Sequence, residues 1–229
     1  MKKHIPLHLL FIFAFILPGL AQWHWQYPIP QGNRLNDMVF LEGSEIGYAV
    51  GNGGAILKST DQGVSWSLMD SATIVNLNGI CFTGPNNGYI VGDNGVLLNT
   101  NASGQWVSME SGTHYHLNAI GAATAEKVYA AGYKGLILKK NGEAWEVMDS
   151  PTIFALYCID FASATLGIAA GDSGTILRTA DGGDSWSKVD VPYNTAFLDV
   201  YFPSENTGYL TGQQGLILKT SDGGVTWTD

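Results

Sequence analysis

The chain repeats itself five times at intervals near forty residues, and this period constrains the fold more than any other property. Aligned on an apolar anchor, the copies read Leu35-Asn-Asp-Met-Val-Phe40, Leu77-Asn-Gly-Ile-Cys-Phe82, Leu117-Asn-Ala-Ile-Gly-Ala122, Leu156-Tyr-Cys-Ile-Asp-Phe161 and Phe197-Leu-Asp-Val-Tyr-Phe202, with steps of 42, 40, 39 and 41 residues. Downstream of each anchor a short apolar segment ends in Gly-x-x-Gly: Gly51/Gly54, Gly92/Gly95, Gly132/Gly135, Gly171/Gly174 and Gly212/Gly215. A second apolar run follows, such as Ala55-Ile-Leu57 or Leu216-Ile-Leu218, and each copy closes on a tryptophan: Trp66, Trp106, Trp145, Trp186 and Trp227.

Segments such as Gly47-Tyr-Ala-Val-Gly51 are too short and too Gly-bounded for helices, and no later stretch sustains a 3.6-residue apolar pattern. A unit of this length holding several such strands is one small sheet, which cannot cover both its faces alone and must stack on its neighbours. The sequence therefore predicts an all-β chain, a β-propeller of four-stranded blades, with repeats at about residues 35–70, 77–110, 117–149, 156–190 and 197–229. In the first strand Met38/Phe40, Ile80/Phe82, Ile159/Phe161 and Val200/Phe202 share one face. Small residues on the other face, Gly79, Ala119, Gly121 and Cys158, suit the crowded region near an axis. Two accounts of the blade number stay open: the five repeats are a fragment of a longer propeller, or Trp23 to Tyr27 supplies a missing strand and closes a five-bladed ring, pairing both free sheet edges.

Three copies carry a stricter string before the tryptophan: Ser59-Thr-Asp61-Gln-Gly63-Val-Ser-Trp66, Thr179-Ala-Asp181-Gly-Gly183-Asp-Ser-Trp186 and Thr220-Ser-Asp222-Gly-Gly224-Val-Thr-Trp227. It matches the Asp-box, or BNR repeat. The carboxylate accepts backbone N–H groups across a hairpin turn, the glycine supplies the positive φ, and the indole covers the hairpin. These carboxylates recur one per blade, about forty residues apart, so a structural role is assigned to them rather than a shared metal or acid–base site. Repeats two and three keep Gly104/Trp106 and Gly142/Trp145 but lack the aspartate.

The composite unit resembles the photosystem II stability/assembly factor family of cyanobacteria and plastids, and many exported bacterial proteins with the same repeat. The resemblance covers residues 22–229. It implies a seven-bladed propeller related to WD40/YVTN-like repeats, of which this chain is then a fragment, without enzymatic activity or cofactor, that acts in photosynthesis as a lumenal scaffold holding a newly made membrane subunit. The basic surface linked to that role is absent here, since Arg34 and Arg178 are the only arginines.

Residues 1–21 read as a secretory signal peptide: Lys2 and Lys3, an unbroken apolar run from Leu9 to Leu17, then Pro18 and the small-residue stretch ending at Ala21. Export to a periplasmic, lumenal or extracellular space is expected, with residues 22–229 as the propeller domain and no membrane-spanning segment in it. The whole chain has 11 Lys+Arg against 20 Asp+Glu, a net charge of −9, so a nucleic-acid partner is not expected. Cys81 and Cys158 fall at different positions of the same strand in different repeats and are read as buried thiols rather than a bridge.

The expected partner is a protein, with a membrane-associated one or a glycan also open. The segment His114-Tyr115-His116 and the apolar connections Ile74-Val75-Asn76 and Ile153-Phe154-Ala155 form the candidate partner face. His114 and His116 point to one side of an extended chain and suit a shared metal, but no third ligand lies nearby, so no metal site is assigned. Asn36, Asn78 and Asn118 recur beside the anchors, either presenting amides at the channel mouth or stabilising turns. The rival reading is a carbohydrate-binding or glycoside-hydrolase-like Asp-box propeller, with Asp37, Asp160 and Asp199 as candidate paired carboxylates. Two arginines cannot supply the arginine triad of sialidases, and no catalytic residues are assigned.

Overall fold

Each anchor segment becomes the first strand of an antiparallel meander, because tight turns send the chain straight back alongside it. The computed structural model describes residues 31–229; the expected signal peptide and the proposed closing strand at Trp23 to Tyr27 lie outside them. Blade 1 comprises β1 (Leu35–Phe40), β2 (Gly47–Gly51), β3 (Ile56–Ser59) and β4 (Ser67–Met69). Blade 2 comprises β5 (Leu77–Gly84), β6 (Asn87–Gly92), β7 (Leu97–Thr100) and β8 (Trp106–Met109). Blade 3 has β9 (Leu117–Ala122), β10 (Val128–Gly132), β11 (Ile137–Asn141) and β12 (Ala144–Val147). Blade 4 has β13 (Leu156–Phe161), β14 (Gly167–Gly171), β15 (Ile176–Thr179) and β16 (Ser187–Val189). Blade 5 has β17 (Phe197–Tyr201), β18 (Gly208–Gly212) and β19 (Ile217–Thr220), with Thr228 bridging Lys219 where the fourth strand begins in blades 1 and 4. The described residues form a five-bladed β-propeller, all-β as the sequence predicts.

Four hydrophobic cores lie between successive blades. The first joins Tyr48, Val50 and Ile56 of blade 1 to Leu77, Ile80, Ile90, Leu98 and Trp106 of blade 2, and the other three repeat this layout. The repeat tryptophan is therefore a wedge between blades rather than a cover over its own hairpin: Trp106, Trp145 and Trp186 meet Tyr48, Tyr89 and Tyr129 of the preceding blade edge-on. Among the described residues no such core joins blade 5 to blade 1. Met38 is 56% exposed, whereas its counterparts Ile80, Ile120, Ile159 and Val200 are at most 8% exposed. Tyr209 and Ile217 of blade 5 are likewise exposed where Tyr48 and Ile56 are buried.

Polar staples reinforce the seams. Asp37 accepts the Met38 N–H at 2.7 Å and, across the seam, the Ile80 N–H at 2.8 Å. Asp160 does the same with Phe161 and Phe202, both at 2.8 Å. Both thiols are free, and burial pushes each well above its ordinary pKa.

The three Asp-box hairpins share one hydrogen-bond set. Asp181 accepts the Ser185 N–H at 2.9 Å and the Ser185 hydroxyl at 2.6 Å, while Thr179 Oγ1 accepts the Gly183 N–H at 2.8 Å. Asp61 and Asp222 repeat the pattern with Ser65 and Thr226. In blade 2, Asn101 accepts the Ser103 and Gln105 N–H groups and does the same work without a charge. The hydrogen bond from the Ser185 hydroxyl is the main cause holding Asp181 at about 2, and that from Thr226 does so for Asp222. A carboxyl lowered by folding adds stability above its usual 3.8 and loses it as the pH falls toward 2. Asp181→Asn is therefore expected to melt below the parent at pH 7, with the gap closing between pH 4 and pH 2. Equal separation of the two melting curves at pH 7 and pH 2 would show that the charge contributes nothing.

Candidate functional site

One end of the propeller collects the connections between blades, the Gly-x-x-Gly turns, and a bulge in every innermost strand. The turn is the same in all five blades: its first residue donates its N–H to the residue before the anchor, as in Asn52 to Arg34, Asp93 to Asn76 and Asp172 to Ala155. Its second residue adopts the left-handed conformation even where it is Asn94, Lys134, Ser173 or Gln214. The strand register slips just after the anchor, leaving Asn36, Asn78, Asn118, Tyr157 and Leu198 as bulge residues beside these turns.

The bulge explains the recurring asparagines. Asn36, Asn78 and Asn118 donate their amides across the seam to the anchor carbonyls of Leu77, Leu117 and Leu156, at 2.8, 3.0 and 2.8 Å. They are engaged within the fold as inter-blade staples. Asn36 also reaches Asn52 Oδ1, and Asn78 reaches Asp93 Oδ1.

The connecting loops are fixed by a common device. Thr73, Thr113 and Thr152 each accept the N–H two residues on, from Val75, Tyr115 and Phe154, all at 3.1 Å. Residues 74 and 153 then project outward, leaving Ile74 89% and Ile153 80% exposed. Tyr115 and Phe154 are also exposed. The Tyr115 ring lies 6.1 Å from that of Tyr133, and Lys134 Nζ sits 4.9 Å from the Tyr115 centroid. His114 is exposed on the same loop, and His116 Nδ1 lies 3.0 Å from Asp93 Oδ1 while its ring meets Tyr133 edge-on. Among the described residues no three His, Cys, Asp or Glu side chains converge on a metal position.

The five innermost strands also surround an axial cavity of about 690 Å3. Asp37, Asp160 and Asp199 line it, and burial is the largest cause raising all three carboxyls above the usual carboxylate range. Asp37 and Asp160 have both oxygens on backbone N–H groups, so they brace the strands rather than face a substrate as a free acid–base pair.

Tyr133, Tyr157 and Asp172 were not singled out in the sequence. The signal that finds them is positional: the residue after the anchor is Asn in three repeats and Tyr157 in the fourth, while the turn there keeps an aspartate, as in the second repeat.

The architecture and its exposed loop face define a BNR-type propeller. The family described as photosynthesis system II assembly factor YCF48 matches residues 19–101 and 184–229, more than half of the chain. The protein belongs to that family. A search of the curated proteins found no match. Among solved structures, YCF48 from Cyanidioschyzon merolae is similar with a TM-score of 0.65 at 18% identity, over 84% of this chain and 68% of that one. A structure of YCF48 bound to D1 peptide gives 0.50 at 19% identity, over 89% and 82%. An ancestral GH74 enzyme gives 0.68 at 18% identity, over 91% of this chain and 32% of that one. At these identities the likenesses establish the fold alone.

Proposed function

We propose that this protein is an exported, non-enzymatic propeller that captures a protein segment on its loop face and acts as a scaffold in the assembly of a larger complex. The carrying observation is the set of exposed apolar and aromatic side chains on one end of the molecule, Ile74, Tyr115, Ile153 and Phe154 on repeated threonine turns and Tyr133 on the adjacent Gly-x-x-Gly turn. Rigid aromatic anchors of this kind bury large area at little entropic cost. Family membership and the relative seen with a bound D1 peptide support the same reading. Transport by the leader into a periplasmic, lumenal or extracellular space goes with it. The GH74 likeness supplies a shared architecture, and the two carboxylates braced on backbone N–H groups give no support to glycoside hydrolysis.

The double variant Tyr115→Ala, Phe154→Ala is expected to lose a pulled-down partner from an extract of the exporting compartment by at least about tenfold, since two interface anchors cost 2 kcal/mol or more together. Its melting temperature should match the parent, because both rings are exposed. Undiminished capture by the variant rules this face out.

A further inference from the structure

The fourth blade breaks a pairing that the second blade keeps. In blade 2 the carboxylate on the turn, Asp93, receives Asn78 Nδ2 at 2.9 Å, Asn76 Nδ2 at 3.0 Å and His116 Nδ1 at 3.0 Å. Burial works against that carboxylate, yet these partners hold it below the ordinary range. Blade 4 carries Asp172 on the same turn, but the positions of Asn76 and Asn78 are taken by Ala155 and Tyr157. Asp172 accepts the Ser173 N–H at 2.9 Å, and among the described residues no side chain donates to it and no cation pairs with it. Lys134, on the turn of the preceding blade, lies over the Tyr115 ring.

An aromatic group stands where one of the missing donors would be. The register puts Tyr157 beside Asp172 as it puts Asn78 beside Asp93, each as the bulge residue next to its turn. After burial, the neighbouring Asp172 carboxylate is the main cause that pushes the Tyr157 phenol up. Tyr157 is exposed. A partly shielded carboxylate next to a tyrosine ring attracts a cation twice, through charge-assisted hydrogen bonds and through the ring face. A planar guanidinium satisfies both at once, because it stacks and forks. The excess of acidic over basic residues in the whole chain draws positive segments toward it.

We propose that Asp172 and Tyr157 form a subsite for an arginine or lysine side chain of the captured protein segment. This rests on the reading that the loop face binds a protein.

Random peptides displayed against the intact protein, followed by polarisation titration of the strongest labelled binder, test it. Selected peptides should be enriched in arginine or lysine. Replacing the critical arginine by neutral, isosteric citrulline, or a critical lysine by norleucine, should weaken binding to the parent about tenfold. Asp172→Asn should weaken the cationic peptide about equally and leave the neutral peptide almost unchanged. Tyr157→Asn restores the amide of blade 2 to the carboxylate and should produce the same loss without a lower melting temperature. A neutral peptide that binds the parent as tightly as the cationic one, or a preference for cations that survives Asp172→Asn, overturns the subsite. If binders still need Tyr115 and Phe154 in that case, the protein-binding face stands and only the subsite falls. If no peptide depends on any of these residues, both fall.

Discussion

Trp186→Ala is expected to lower stability by about 3–5 kcal/mol, the range for removing a large buried aromatic side chain. Trp186 is 8% exposed and belongs to the core that joins blade 3 to blade 4. Its ring meets Tyr129 of blade 3 at 6.3 Å and 81°, and Phe161 of its own blade at 6.0 Å and 69°. The Tyr129 hydroxyl in turn donates to Gly182 O, at 2.7 Å, in the hairpin that leads to Trp186. Truncation therefore opens a cavity between two blades and loosens a buried hydrogen bond across the same seam. Trp66 supplies the internal control. It has the same Asp-box, but among the described residues no blade precedes it, and it is only half-buried beside Phe40. Trp66→Ala is expected to cost clearly less. Urea midpoints of the two variants decide the matter: equal shifts mean that the tryptophan stabilises its hairpin and not the inter-blade seam.

This contrast also marks what the sequence conveyed. Anchors, Gly-x-x-Gly turns and tryptophans recur at fixed offsets, and such local chemistry is enough to define a blade. Contacts between blades are not encoded at any local spacing. Asn36 reaches Leu77 across 41 residues, and Asp37 reaches Ile80 across 43, through a bulge that shifts the side chain toward the axis. Nothing in Leu35-Asn-Asp distinguishes such a staple from a turn residue. The exposed apolar loops are legible because Tyr115, Ile153 and Phe154 are unusually apolar for connections. Asp172 was not, because an aspartate on a tight turn is ordinary; only comparison with Asp93 shows that its amide partners have been replaced.

The second large effect lies in the turn that carries Asp172. Gly174→Ala is expected to destabilise the protein by about 2–5 kcal/mol, from backbone strain of about 1–2 kcal/mol plus overpacking of about 1–3 kcal/mol. Gly174 has φ +69°, and a Cβ there would lie 1.9 Å from the carbonyl oxygen of Tyr193, in the connection to blade 5. Its N–H donates to Thr195 O at 2.8 Å, so the turn and the connection are already tied together and neither recedes freely. Gly215 occupies the equivalent place in blade 5 with φ +79°, but nothing lies within 4 Å of a Cβ built there. Gly215→Ala therefore reports the strain alone, about 1–2 kcal/mol, and the difference between the two variants isolates the clash. Urea unfolding gives both values. If the two shifts agree, the connection over Gly174 yields to the added methyl, and the loop face is softer than its repeated threonine turns imply.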